Sequence, residues 1–375
     1  MNSNEKCKKV ILVQGYFAYN LGDDLFLSVL LNRYPSMFFR IIAPRNYKFV
    51  QSFRNAKAIG EPINGMSRLL CYCLRPFPYL RNKMFVALYK RFFKKQSKGV
   101  SAFVTIGGSM FKETRGYELR LKLEKAIAEI VKKVPSFIVG ANFGPYYNKD
   151  FYEFFYNLFP LYKDICFRDS SSVRMFDGLT NIRQAPDVIF QYPLENHIKK
   201  RELGVVVVDF SKHEGIEEKK IEYEKMLKSV VSYYANKGYN ITLFAFQSNE
   251  SEYLKKLYNR FKFNCSNLNY CVYSGDVGRF VNKYNKMSVV FATRFHAIVL
   301  SLMMGQKVCP IIYNKKIQNF LNDISFKGLF IPLDNLSLSE HFFDSFEEQN
   351  SPKVDYRNEA EEQFSALDNL LRVMQ

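Results

Sequence analysis

The stretch from Ser288 to Lys316, SVVFATRFHAIVLSLMMGQKVCPIIYNKK, leaves this chain little choice of fold. Val289 to Phe291 is a short β-branched and aromatic run, the composition of a buried strand in a parallel sheet. Ala297 to Met304 is apolar on every face, which predicts a helix with no side left for water. Thr293 stands where a helix cap is expected, Gly305 ends the apolar run, and Lys307 to Tyr313 predicts the next strand. Arg294 and His296 therefore fall at a strand-to-helix junction, on the carboxyl edge where open α/β sheets bind ligands. Residues two apart point to opposite sides of a regular helix, so both reach one ligand only if the junction is still extended there. A helix N-terminus offers unpaired N–H groups, arginine adds a planar donor fork, and histidine supplies a proton near neutral pH. The alternative is an arginine paired to an acid and a histidine filling a gap.

At 375 residues the chain exceeds what one core usually serves, so two domains are expected. Its 47% hydrophobic content is that of a globular protein. No apolar run reaches the roughly 18 residues of a membrane span. The opening MNSNEKCKKVILVQG lacks the apolar centre of a signal peptide. The cysteines at 7, 71, 73, 166, 265, 271 and 309 lie mostly in apolar runs, as reduced thiols of a cytoplasmic protein do. Cys71-x-Cys73 has no matching second pair, and with 4 histidines in the chain no metal is expected.

The net charge of +18 calls for an anionic partner. It is concentrated between Arg68 and Lys98, where 9 Lys/Arg occur without one acid, interleaved with Tyr72, Phe77, Tyr79, Phe85, Tyr89, Phe92 and Phe93. Within it MFVALYKRFFKK reads as a basic amphipathic helix for an anionic membrane surface; helices packed into the fold are the alternative. No signature of the common RNA-binding modules is present, and nucleic acid is not an expected partner.

In chain order, Val10 to Gln14 predicts a strand, and a loop from Gly15 to Asp23 precedes an apolar-periodic helix from Leu25 to Leu31. Gly15, Asn20 and Gly22 let a backbone approach a ligand closely, and Asp23 is a candidate N-cap. Strands follow at Phe38 to Ala43, Ala102 to Ile106, Ser136 to Gly140 and Ile165 to Phe167. They end in Gly107-Gly108-Ser109, in ANFGPYY with Asn142, and in Arg168-Asp169-Ser170-Ser171-Ser172, with Ala185-Pro186-Asp187 closing the first domain. The second half repeats the alternation, with strands at Gly204 to Val208, Ile241 to Phe246, Tyr270 to Tyr273 and Val289 to Phe291. Strands spaced by helices mean two doubly wound α/β domains, 1–195 and 203–338, with a helical tail over 339–375 expected to pack back across the first.

Together GYFAYNLGDD, IGGSMF, ANFGPY, FRDSSS, APD and ATRFHAIVLSLMMGQKVCPIIYNKK resemble the polysaccharide pyruvyl transferases, over most of the chain. The resemblance implies two Rossmann-like domains facing a cleft, as in GT-B glycosyltransferases. It implies transfer of the pyruvyl unit of phosphoenolpyruvate onto two sugar hydroxyls as a cyclic ketal, with release of phosphate, in capsular or extracellular polysaccharide synthesis. It places phosphoenolpyruvate against Arg168, Arg294 and His296, with Lys316 as an added cation; two guanidinium forks and a helix N-terminus also suit such a polyanion on physical grounds. His296 is the expected proton donor, and Asp187 and Asp23 are candidates for the general base. No cofactor is expected beyond phosphoenolpyruvate as co-substrate, and the loops bearing Gly15, Asn20, Gly22, Asp23, Gly107, Gly108, Ser109 and Asn142 are expected on the acceptor side.

The chain departs from the family where Ser109 replaces a third glycine, Ala297 stands where glycine is common, and Asp24 where glutamate is frequent. The basic insert points to a lipid-linked saccharide acceptor at the inner face of a membrane. Two other readings stay open: a glycosyltransferase using a nucleotide sugar on the same scaffold, and a non-catalytic protein that binds anionic surfaces.

Overall fold

In the computed structural model, residues 9–195, 197, 200–263, 265–350 and 354–373 are described; Cys7 lies outside them. The chain forms two compact units. Unit 1 holds the described residues up to Ala18, Phe26–Val188, and those from Asn358 on; unit 2 holds Tyr19–Leu25 and Ile189–Arg357.

Unit 1 is built on β1 (Val10–Gln14), β2 (Phe38–Ile41), β3 (Ala56–Ala58), β4 (Ala102–Ile106), β5 (Ser136–Ala141), β6 (Asp164–Phe167) and β7 (Ile182–Gln184), in the order β3-β2-β1-β4-β5-β6-β7. Every pairing is parallel. β4, β5 and β6 are buried at every residue, because helices on both faces remove any solvent side, which is why they read as unbroken apolar runs. Unit 2 repeats the plan with β8 (Glu202–Val206), β9 (Asn240–Ala245), β10 (Leu268–Val272), β11 (Val289–Ala292), β12 (Lys307–Ile312) and β13 (Ile331–Pro332), ordered β10-β9-β8-β11-β12-β13 and again all parallel. Two doubly wound α/β domains are therefore what the chain forms. Only β3, β7 and β13 escape the sequence pattern, since two- or three-residue strands carry no period to detect.

Three local expectations are corrected. The first helix spans Leu21–Arg33, so it starts ahead of the apolar pattern, and Asp23 sits in its first turn instead of capping it. Asn20 takes the cap's place: its side-chain oxygen accepts from the Gly22 N–H at 3.2 Å, and its amide donates to Asp23 at 2.6 Å. Acidic residues inside the first turn are favoured by the helix dipole, which is why a Gly-Asp-Asp that looks like loop is helical. Thr293 does not cap the helix Phe295–Met303 either; Arg294 holds that position, and the Thr293 hydroxyl pairs with Tyr223 at 2.8 Å.

The basic insert forms two helices, Gly65–Cys73 and Pro78–Gln96. The apolar face of MFVALYKRFFKK is used for packing: Phe93 is 1% exposed and lies edge-on to Phe103, while Tyr89 and Phe92 pack on the same core. Lys90 pairs with Glu129 at 2.9 Å. Within that segment Tyr89, Phe92 and Phe93 therefore face the core.

From residue 339 the chain divides. The helix Glu340–Glu348 buries Phe343 and Phe346 in the core of unit 2. Residues from Asn358 on join unit 1, where Asp368 takes the Arg33 fork (3.2 and 2.6 Å) and the Tyr34 hydroxyl (2.6 Å). Gln363, 1% exposed, accepts from the Gly140 N–H at 2.8 Å and donates to the carbonyls of Ala185 (2.8 Å) and Pro186 (3.0 Å). It thus pins the residues just before Asp187 to a bulge in β5. Gln363→Ala strands a buried N–H and two carbonyls, so urea unfolding is expected to show a loss of about 1–3 kcal/mol. An unchanged midpoint would show that water replaces the amide.

Candidate active site

In a doubly wound sheet the crevice opens where strand order reverses, outside the carboxyl ends of the strands. In unit 1 the reversal lies between β1 and β4, whose exits are Gly15 and Gly107-Gly108-Ser109. In unit 2 it lies between β8 and β11, and the residues leaving β11 are Thr293 and Arg294. The sequence therefore sets Gly15, Gly107, Gly108 and its Arg-x-His at the two points where this fold class opens.

Within unit 1 Arg168 leaves β6 with its side chain 3% exposed. Its Nη1 donates to Asp187 at 2.8 Å and its Nη2 to the Asn142 side-chain oxygen at 2.8 Å. The guanidinium lies flat on the backbone of Gly108: a Cβ there would stand 2.5 Å from Nη2. Ser109 reaches the same Asn142 oxygen at 3.4 Å. Gly108, Ser109, Asn142, Arg168 and Asp187, expected from separate turns, thus form one cluster. Asp187, expected among the catalytic residues, is the buried ion-pair partner of Arg168. Asp169 caps the following helix through Ser172 N–H at 2.9 Å, which fixes where Arg168 leaves the strand.

Unit 2 holds the Arg-x-His. Arg294 has φ −101° and ψ 135°, so the junction is still extended there, and the helix begins at Phe295 with His296 as its second residue. The Arg294 Nη2 donates to Gln247 at 3.0 Å and to Glu250, which is 2% exposed. Burial alone lowers this guanidinium's pKa and the charge of Glu250 raises it; the balance stands above the ordinary arginine value. The arginine is firmly charged. Its Nε is buried without a hydrogen-bond partner, a donor that a bound anion would satisfy.

His296 lies against the first turn of Leu21–Arg33. A Cβ on Gly22 would fall 1.7 Å from its Nδ1, so only glycine admits the ring in this position. Two helix N-termini, those of Leu21–Arg33 and Phe295–Met303, thereby meet at the imidazole, and both favour negative charge. The turn is fastened in place within unit 2: the Leu21 N–H donates to the Phe246 carbonyl at 2.9 Å, Asn20 bridges to Gln247, and buried Asp24 accepts from the Tyr273 hydroxyl at 2.5 Å. The loop expected from Gly15 to Asp23 is therefore divided, Gly15 belonging to unit 1 and Asn20, Gly22 and Asp23 to unit 2. Lys316 stands in the first turn of Lys315–Asp323, the helix after β12 that Asn314 caps at 3.1 Å.

Sequence reasoning missed Glu250, Gln247 and Tyr273. Gln247 and Glu250 sit in the polar run FQSNES just past β9, which reads as an exposed loop; the only signal is its position after a strand of the same sheet edge.

A family model for polysaccharide pyruvyl transferase matches residues 20–315. No curated protein matches the sequence. Solved structures with a similar fold include the UDP-GlcNAc 2-epimerase of Methanocaldococcus jannaschii in complex with UDP-GlcNAc and UDP, at TM-score 0.62 and 10% identity, covering 98% of this chain and 99% of that one. The UDP-GlcNAc 2-epimerase of Neisseria meningitidis follows at 0.59 and 10%, covering 97% and 100%. The trehalose 6-phosphate synthase of Burkholderia multivorans is similar at 0.51 and 12%, covering 98% and 95%. At such identities the likeness is one of fold, two parallel-sheet α/β domains of the GT-B type.

Proposed function

This chain belongs to the polysaccharide pyruvyl transferase family, and we propose that it moves the pyruvyl group of phosphoenolpyruvate onto two hydroxyls of a sugar in a lipid-linked polysaccharide repeat unit. The observation that carries the donor assignment is the junction at Arg294. An extended, charged arginine with a free buried Nε is followed by a histidine seated where two helix N-termini meet.

In this reading Arg294 takes the phosphate or carboxylate of the donor, and Lys316 adds charge nearby. Within unit 1 Asp187 and Asn142 hold the Arg168 fork in a fixed orientation, a positioning role for both. With the phosphate and carboxylate of the bound donor offsetting the two positive helix ends, His296, as imidazolium, delivers a proton to C3 of the enolpyruvyl group while a sugar hydroxyl oxygen bonds to C2. The C2–O bond to phosphate then breaks, and the second hydroxyl closes on C2. Of the two hydroxyl protons, one ends in the new methyl group by way of His296 and the other leaves on phosphate. The general base is assigned to no residue: Asp187 is engaged by Arg168, and Asp23 by Asn20. No cofactor takes part in this scheme.

No described helix is long and apolar enough to cross a membrane; we place the enzyme in the cytoplasm, working on its acceptor at the inner membrane face. A ligand that binds only the native state stabilises it by about 2.7 kcal/mol at a hundredfold excess over Kd. Phosphoenolpyruvate is therefore expected to raise the melting temperature, and to release phosphate when an acceptor is supplied. A shift with UDP and none with phosphoenolpyruvate would move the reading to a nucleotide-sugar transferase, the ligand class present in the epimerase complex. Silence from both, with salt-sensitive binding to polyanions, would favour the surface-binding protein.

A further inference from the structure

The helix Gly65–Cys73 buries a single residue, Cys71. Met66 is 87% exposed and Leu69 63%, with Leu70 and Tyr72 beside them. The chain then turns, and Phe77, Tyr79 and Leu80 at the start of Pro78–Gln96 are also more than half exposed. These are not frayed ends: Asn64 and Ser67 form a reciprocal capping box on the first helix, and Pro78 opens the second. A short helix is held in a fold by what it buries, so a nine-residue helix that gives its leucines to solvent is built to cover something else.

The charges say what. Arg75 and Lys83 lie in the same segment, Lys83 stacked over Tyr79 at 4.6 Å; Arg68 is paired to Glu61 at 3.6 Å, and from Pro62 to Lys112 the sequence holds no acidic residue. A symmetric contact with a second copy would set these cations against themselves. We propose that the face of Gly65–Cys73 and the first turn of Pro78–Gln96 docks on an anionic lipid bilayer, the apolar side chains entering the interface and the cations meeting headgroups. The lipid-linked acceptor gives this docking a purpose, but its evidence is separate. It also moves the contact: the stretch from Tyr89 on, where Tyr89, Phe92 and Phe93 pack inward, is not the anchor.

The test is co-sedimentation with vesicles of equimolar phosphatidylglycerol and phosphatidylcholine, against phosphatidylcholine alone. Wild type is expected to bind the first and not the second. Leu69→Ser with Leu70→Ser should weaken binding about tenfold or more, and Arg75→Gln with Lys83→Gln about fivefold for each cation removed. Lys94→Gln with Lys95→Gln, beside the packed part of the helix, should have the smaller effect. Since the altered side chains are exposed, the melting temperature and its rise with phosphoenolpyruvate should not change, so loss of docking and loss of the donor are read separately. Vesicle binding unaffected by the leucine pair overturns the proposal. So does a loss that follows Lys94 and Lys95 instead, or a wild-type dimer in light scattering that the leucine pair dissolves.

Discussion

Arg294→Ala is expected to abolish stabilisation by phosphoenolpyruvate and, without any ligand, to unfold more easily than wild type. The two losses have different causes. The first is removal of a charged fork from the anion, worth about 2–5 kcal/mol of affinity for a buried, hydrogen-bonded charge. The second is Glu250, which the substitution leaves buried and unpaired at a cost of about 3–5 kcal/mol. Burial already pushes the Glu250 carboxyl upward, and Arg294 opposes that push. With the arginine gone, the folded-state pKa rises further above the unfolded value, so the native state binds the extra proton. Stability of the variant should then fall as pH rises through the carboxylate range and recover as pH is lowered. Arg294→Met with Glu250→Leu removes both charges and should restore most of the stability, since an apolar pair often replaces a buried ion pair without loss. It should not restore the response to phosphoenolpyruvate. A double variant that still shifts with the donor would show that the anion binds elsewhere.

Gly22→Ala carries the second large effect, and its sign is unusual. In a helix this change ordinarily stabilises by about 1 kcal/mol. Here the new methyl would stand 1.7 Å from the His296 Nδ1 and 2.3 Å from its Cε1, so the ring or the turn must move. A displacement on the order of 1 Å at a catalytic group can cost about 10²-fold in rate. Turnover should therefore fall about that far with the protein still folded. His296→Ala should cost about 10²–10⁴-fold, the range for loss of a general acid. Adding Gly22→Ala to His296→Ala should then cost nothing more, because the alanine has no ring left to displace. Additive losses would give Gly22 a role of its own, and near-normal turnover in His296→Ala would end the case for its catalytic part.

The fold class was legible because it rests on period. Val289 to Phe291, the all-apolar helix behind it and the next strand could pack only as a parallel crossover between covered faces, and the same alternation recurs in both halves of the chain. The placing of Arg294 and His296 at a strand exit followed from the same pattern, as did the clustering of glycines after β1 and β4. What an arginine does at such an exit is not written locally. Its partners Gln247 and Glu250 come from 47 and 44 residues away, and Asp187 comes to Arg168 from 19. Glu250 in particular reads as solvent loop, since nothing in FQSNES tells a buried carboxylate from an exposed one.

The basic insert shows the same limit from the other side. Its composition predicts an anionic partner, but apolar residues at helical spacing look alike whether a core or a bilayer covers them. Only packing could separate Phe93, buried against Phe103, from Leu69, left in water. The sequence by itself determined the two doubly wound units and the edge on which chemistry gathers, because hydrophobic period acts over neighbouring residues. Tertiary structure alone decided that Gly22 is the seat of His296, that Asp187 holds Arg168, and which part of the insert stays exposed. Those are matters of contact between residues distant in the chain, and a contact has no periodicity to read.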